Sequence, residues 1–330
     1  MRTNFLVVLM SVCLMRVTGA LADSTNASGP PAASPHSILD KAQPGYYRLK
    51  VGDVDVTALS DGTLAFPADE LLLNAKPDEI HRLLSDAFDP SPLASVNSYV
   101  IFLSGRIILI DTGSETLLGP TLGKLPRSLN AAGIKPEQIT DIFLTHIHPD
   151  HAGGLTVEGK KFFANAVVHV ERRDLDYWLN ASEVASSADL IKPFFAQAES
   201  KMRPYLRSGQ VKAFSGATKF FPGFSSIPAY GHTPGHVYYA LESAGQKIVF
   251  LGDTTHVLNI QFTDPGIAVK FDSDPAQAVL QREKAFEDAA QQGYLMAFTH
   301  VSFPGVGHLR KEGDHYRWIP LSYVDDALQH

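Results

Sequence analysis

Thr145-His146-Ile147-His148-Pro149-Asp150-His151 is the stretch whose reading decides the fold. Three imidazoles and a carboxylate fall within it, directly after the apolar run Ile142-Phe143-Leu144. Neutral imidazole nitrogen and carboxylate oxygen are the donors that Zn²⁺ and similar borderline cations bind. A satisfied core or surface histidine does not call for such density. Residues two apart in extended backbone point the same way, so His146 and His148 can grip one ion together. Pro149 biases His148 toward an extended conformation and argues against a zinc-protease helix. Beyond it, Ala152-Gly153-Gly154 predicts a sharp backbone turn that lets Asp150 and His151 face a second ion. The stretch reads as a two-metal cradle on a loop between a strand and a helix.

Working outward, further donors recur at equivalent places. An apolar strand over 139–144 feeds the cradle, one over 224–229 leads to His232, one over 247–251 runs into Asp253, and one over 295–298 ends near His300. Loops at strand ends of a layered α/β core are where catalysis usually sits. Grouped by chemistry, His146, His148 and His232 hold one metal, and Asp150, His151 and His300 hold the other. Asp253, with two carboxylate oxygens, bridges them. Each ion keeps open coordination, as a catalytic site requires.

The remaining pattern is a rhythm of hairpins, strands and helices. Residues 46–51 and 54–59 form a hairpin through Gly52-Asp53, and 96–102 and 106–110 a second through Ser104-Gly105. The latter strand is nearly all apolar, as in a strand buried on both faces. Residues 66–88 read as a loop with a short helix, 122–132 as a helix stopped by Gly133, 166–170 as a strand and 171–179 as a helix. A longer helix over 188–206 is expected to break at Pro193. In the second half, Pro228 suggests that the strand over 224–229 lies at a sheet edge. Residues 237–241 pair with 247–251, and 275–292 is helical. With no repeat and no linker, this predicts one α/β domain: a two-sheet core sandwiched by helices.

Composition sets the bounds. The chain has 330 residues, 45% hydrophobic and 19% charged, with a net charge of −7. Arg2, the apolar run 5–10 and the small residues of Ala20-Leu21-Ala22 predict a secretory signal peptide over 1–22. Residues 23–43, rich in Ser, Ala, Pro and Asn, read as a flexible leader, and 44–330 as the domain. Cleavage removes Cys13, the single cysteine, leaving no disulfide, thiolate ligand or cysteine nucleophile. It also moves the net charge to about −9, which argues against nucleic acid and anionic membrane surfaces as partners. Cys13 lacks the small residues of a lipoprotein signal before it, so no membrane anchor is expected. The chain is expected to be secreted or periplasmic.

The order His-x-His-x-Asp-His, a lone His, an Asp after Gly and a last His resembles the metallo-β-lactamase superfamily. Pro44-Gly45-Tyr46-Tyr47-Arg48, Leu59-Ser60-Asp61-Gly62-Thr63, Gly119-Pro120-Thr121-Leu122-Gly123, His232-Thr233-Pro234-Gly235-His236 and Ser302-Phe303-Pro304-Gly305 are similar to the branch containing methyl parathion hydrolase and related lactonases. The resemblance implies an αβ/βα four-layer sandwich, two Zn²⁺ ions per chain and a secreted homodimer. It places Asp150 and Asp253 at the reacting centre, with a metal-bridging hydroxide as nucleophile. Asp253 departs from true β-lactamases, so β-lactams are not the expected substrate. A small hydrophobic ester is: a lactone or aryl ester, with phosphotriesters as a promiscuous class. The alternatives are a mononuclear iron sulfur dioxygenase, which does not need the Asp150, His151 and His300 set, and a glyoxalase II-type thioester hydrolase, which usually carries a basic tail not evident here.

Two readings stand for Asp111: a carboxylate that accepts the free N–H of a ligand histidine, or a strand-end turn residue. The expected substrate wall is Phe66, Leu72, Leu118, Trp178, Phe194, Phe195, His256, Leu258 and Phe271. His256, three residues after Asp253, either faces the pocket or is solvated at its rim, and its polarity tilts the reading toward lactones or aryl esters. His236 and His169 are expected to be structural, His81 likewise on its helix, His36, His315 and His330 to lie at the surface, and His308 near the site without a role.

Overall fold

The computed structural model describes residues 42–324; the expected signal and leader lie outside the described residues except for the last two positions of the latter. Two seven-stranded sheets face each other, and in each the strands lie side by side in chain order. The first holds β1 (Tyr46–Val51), β2 (Val54–Ala65), β3 (Leu93–Leu103), β4 (Arg106–Ile110), β5 (Asp141–Phe143), β6 (Val167–Glu171) and β7 (Val211–Phe214). Its first three pairings are antiparallel and its last three parallel. The second holds β8 (Lys219–Phe221), β9 (Phe224–Pro228), β10 (Val237–Ser243), β11 (Gln246–Phe250), β12 (Leu295–Ala297), β13 (Val306–Glu312) and β14 (His315–Pro320). Only β11 and β12 run parallel there.

Side-chain alternation makes four layers of this pair. Ile108 and Ile110 of β4 point between the sheets, where they meet Phe143, Tyr239, Phe250 and Val237. Leu109 points the other way, onto α1 (Leu125–Ala131), α2 (Arg172–Trp178) and α3 (Lys192–Arg207) through Leu129, Trp178 and Met202. This two-sided burial explains why Ile108-Leu109-Ile110 carries no polar residue. On the far side, Val249 and Met296 pack on Phe286 and Ala289 of α4 (Pro275–Gln292). That helix starts where Asp274 accepts the Gln277 N–H at 3.1 Å and stops at left-handed Gly293, φ 72°. The layers are helix, sheet, sheet, helix, as expected.

Two local expectations are corrected. Pro193 does not break a helix: α3 begins at Lys192, and the proline occupies its first turn, where no N–H is missed. The helical proline is Pro204 instead. The strand bearing Pro228 is not at an edge, because β8 lies outside it. That pairing involves only Phe224 and Ser225, so Pro228 still loses no ladder bond on its outer side. The hairpin β13–β14, not among the expected elements, turns through Gly313-Asp314, the same dipeptide as at Gly52-Asp53. Among the described residues, no helix is long and apolar enough to cross a membrane.

Candidate metal centre

His146 and His148 leave β5 on extended backbone, and His148 (φ −91°, ψ 162°) is the last extended residue. Pro149 starts the single turn Pro149–Ala152, which carries Asp150 and His151. The sharp turn expected at the glycines does not occur, since Gly153 is helical at φ −60°. Those glycines are needed for space. A Cβ on Gly153 would lie 2.4 Å from the Ser114 carbonyl oxygen, and one on Gly154 would lie 1.9 Å from that of Thr112. Asp253 sits in the short turn Gly252–Thr254 after β11, and His300 follows β12.

The seven residues form two buried clusters that share one member. His146, His148, His232 and Asp253 place one donor atom each within 4.8 Å of one another, and so do Asp150, His151, Asp253 and His300. Asp253 turns one oxygen to each cluster. Its Oδ2 lies 3.2 Å from His232 Nε2 and 3.7 Å from His146 Nε2, while its Oδ1 lies 2.9 Å from His151 Nε2 and 3.0 Å from His300 Nε2. His146 Nε2, His151 Nε2 and Asp253 Oδ1 are buried with no hydrogen-bond partner, and His148 Nδ1 faces His232 Nε2 at 3.0 Å. Orphaned polar atoms are costly inside a protein, and here they converge. That convergence fits two divalent cations on opposite sides of one carboxylate.

A ring of acceptors sets the tautomers. Asp111 Oδ2 lies 2.8 Å from His151 Nδ1, Asp272 Oδ1 lies 2.8 Å from His232 Nδ1, and the Ser95 carbonyl lies 2.7 Å from His300 Nδ1. Each acceptor draws the ring proton to Nδ1 and leaves the Nε2 lone pair facing Asp253. Asp111 also has φ 56°, so it serves both of the uses read for it. Burial, then the charge of neighbouring histidines, pushes His146 and His148 well below the usual imidazole range. They are neutral donors. Burial also disfavours charge on His151, His232 and His300, but nearby carboxylates, Asp253 first among them, override it and raise all three, His232 to about 9. Cation uptake there must displace protons.

His236 takes no place in either cluster: its Nε2 accepts the Asp253 N–H at 3.2 Å and its Nδ1 faces the Ala229 carbonyl at 3.2 Å. His169 bonds Asp141 at 2.8 Å. His308 lines a different cavity with Tyr47 and Gln246, not this site.

A cavity of about 120 Å³ opens over Asp150, Asp253 and His300. Phe66, Leu118, Phe194, His256 and Phe271 line it. Leu72, Trp178, Phe195 and Leu258 do not. Leu72 points into a core cluster with Ile80 and Val257, and its neighbour Leu71 takes the wall position. Trp178 stands edge-on to His148 at 5.1 Å, backed by the buried Phe195, whose ring is tilted 51° to it at 4.8 Å. Leu258 packs toward the α4 layer. Leu64, Ala65 and Ala94 complete the wall; they and Asp272 come from segments that only folding brings here, and Asp272 was signalled only by adjoining Phe271. His256 is buried rather than solvated, 5% exposed, with both ring nitrogens unpaired. Its Nε2 approaches Asp253 Oδ2 at 3.2 Å without the alignment of a hydrogen bond.

The profile of the metallo-beta-lactamase superfamily matches residues 92–300. The crystal structure of hydrolase AbOPH, of the beta lactamase superfamily, is similar with a TM-score of 0.82 and 33% identity, covering 86% of this chain and 100% of that one. AidC, a dizinc quorum-quenching lactonase solved with N-hexanoyl-L-homoserine as product, gives 0.80 and 25% over 85% of this chain and 99% of its own. The N-acyl homoserine lactonase of Bacillus thuringiensis is 24% identical over 67% of this chain and 87% of its length. Ribonuclease Z of Pyrococcus abyssi is 36% identical, but over 77 residues, and the chain spans only 22% of its length.

Proposed function

The chain belongs to the metallo-beta-lactamase superfamily and is a metal-dependent hydrolase; from that premise we propose that it cleaves small, uncharged, hydrophobic esters, lactones foremost, with two zinc ions. One observation carries the reading. Among the described residues, the wall around the centre is hydrocarbon except for the clustered donors and His256, and it contains no Lys or Arg. Away from the ions themselves, an anionic group on that wall would lose its hydration without gaining a counter-charge. That counts against substrates whose charge lies apart from the scissile bond, such as glutathione thioesters and β-lactam carboxylates. The cavity of about 120 Å³ is small beside the roughly 300–1,000 Å³ of drug-sized sites, which suits a lactone ring with any acyl tail extending outward. Similarity to AidC and to the Bacillus thuringiensis lactonase supports the same class.

When bound, the two ions supply Lewis acidity and a water acidified toward neutrality, so no Ser or Cys nucleophile is needed. The chain does the rest. Asp253 faces both ion sites, while Asp111, Asp272 and the Ser95 carbonyl keep three histidines in the ligating tautomer. Phe66, Phe194 and Phe271 exclude water from the scissile bond, which strengthens every charge interaction there. His256, buried and held neutral chiefly by that burial, offers an unpaired N–H to an ester oxygen.

A kinetic panel tests this on the purified zinc protein: dihydrocoumarin, a γ-lactone with an acyl tail, an aryl acetate and methyl parathion. A lactone should give the highest kcat/KM. A phosphotriester in first place would overturn the substrate reading, and one iron per chain with oxygen uptake would overturn the hydrolytic one. Export through residues 1–22 and homodimerisation belong to the same proposal and rest on the sequence. An intact mass that retains Met1 after expression in an export-competent host would refute the first, and a monomer by light scattering the second.

A further inference from the structure

Asp174 lies on α2, 0% exposed, and makes no ion pair among the described residues. Its Oδ2 accepts the Ile147 N–H at 2.7 Å and its Oδ1 accepts the Gly235 N–H at 2.8 Å. Ile147 separates His146 from His148. Gly235 closes the loop that carries His232. The three histidines of one cluster therefore hang on two loops pinned to opposite oxygens of one carboxylate. The donors peculiar to the other cluster, Asp150, His151 and His300, take no hydrogen bond from Asp174; Asp111 and the Ser95 carbonyl hold that side.

The approach of α2 is built in. A Cβ on Gly235 would lie 2.4 Å from the Asp174 backbone nitrogen and 2.8 Å from its Cβ, so only glycine admits the carboxylate at this range. The two loops are also joined below the site. The Val237 N–H donates to the Thr145 carbonyl at 3.0 Å, and the Tyr239 hydroxyl donates to that of Leu144 at 2.7 Å. Asp174 is thus not what brings the segments together. It sets their final spacing at the histidines.

We propose that Asp174 is the positioning residue of one metal site alone, clamping the Ile147 and Gly235 amides so that His146, His148 and His232 converge. The proposal rests on the two-metal reading above. It predicts that the two ions are held independently enough for one buried carboxylate to loosen only one. In Asp174→Asn the amide accepts one N–H but sets its own N–H₂ against the other, so donor faces donor.

The test uses the full chain loaded with zinc, wild type and Asp174→Asn, dialysed against a series of zinc buffers and assayed for metal per chain. The midpoint for loss of one ion should rise roughly 10–100-fold in the variant, the usual range for a residue behind the ligands, while the second ion stays at the wild-type midpoint. Cobalt(II) loading identifies the ion: the variant should keep the shifted imidazole N–H signals of His151 and His300 and lose those of His146, His148 and His232. Loss of both ions together, or wild-type midpoints for both, overturns the proposal. A wild-type chain that never holds two ions refutes the two-metal reading instead. If the variant does not fold, hydrogen exchange of the stripped wild-type chain decides. Ile147 and Gly235 amides protected as in the loaded protein uphold a preformed clamp, and exchange in the dead time overturns it.

Discussion

Asp111→Asn is the sharpest test of how the centre is assembled. Asp111 ends β4 in the left-handed region, φ 56°, a conformation asparagine adopts as readily as aspartate. The substitution therefore leaves the backbone alone. Asp111 Oδ1 accepts the Thr145 N–H at 2.8 Å, and that buried amide requires an oxygen. The asparagine carbonyl must stay there, which puts its N–H₂ where Oδ2 now faces His151 Nδ1 at 2.8 Å. A donor in that place turns Nδ1 into an acceptor and sends the ring proton to Nε2, the nitrogen 2.9 Å from Asp253 Oδ1. His151 then presents N–H where it presented a lone pair. Restoring the tautomer forfeits a hydrogen bond to a charged acceptor, about 1.5–3 kcal/mol, which is roughly 10- to 150-fold in affinity. Chelator competition with zinc reads this directly: one ion of the variant should bind weaker by that factor. Its turnover should fall at limiting zinc and recover in excess zinc, with KM little changed. Zinc affinity within about threefold of wild type for both ions would refute the tautomer argument.

Asp253→Ala removes the one side chain common to both clusters, so metal analysis should find both ions lost and ester turnover down by at least about 10³-fold; retention of two ions would refute the bridge. Leu118→Arg places a cation on an otherwise uncharged wall. The ratio of kcat/KM for an anionic aryl ester over its neutral analogue should rise severalfold, and an unchanged ratio would show that charge exclusion does not select the substrate. Asp61, buried among the Ser114, Gly123 and Leu125 amides, is raised from an ordinary 3.8 to about 6, burial outweighing those hydrogen bonds. Its folded pKa exceeds the unfolded one. The protonated form thus contributes stability that is fully present below about 3.8 and lost as pH rises through about 6, at most about 3 kcal/mol over the window. Urea unfolding of metal-stripped wild type and Asp61→Asn from pH 4 to 7 should show their stability difference drifting against the wild type by that order. Parallel curves would refute it. Phe271→Ala opens the wall and should cost about 10-fold in kcat/KM for a lactone, carried mainly by KM.

The ligand set was legible because metal chemistry is local in its demands. Few residue types donate to a divalent ion, and the spacing from His146 to His151 puts them on adjoining extended and helical backbone whatever surrounds them. The layers were legible for a similar reason, since Ile108-Leu109-Ile110 has to be covered on both faces. The wall was harder to read. Leu71 and Leu72 are chemically identical neighbours, and only the direction in which the chain leaves its helix decides that the first faces the cavity and the second the core. Trp178 is as aromatic as Phe194, yet it lies behind His148 because α2 presses it into the helix layer. His256 had two readings until burial chose between them.

By itself, then, the order of residues determined the chemistry: seven donors, a shared carboxylate and strand-end loops to carry them. Tertiary structure alone decided the partners of those donors. Asp111, Asp272 and the Ser95 carbonyl act on histidines 40, 40 and 205 residues away, and Asp174 on the Ile147 and Gly235 amides 27 and 61 residues away. Hydrogen bonds between such distant segments follow from the packing of two sheets and their helices, and no local pattern of side chains encodes them.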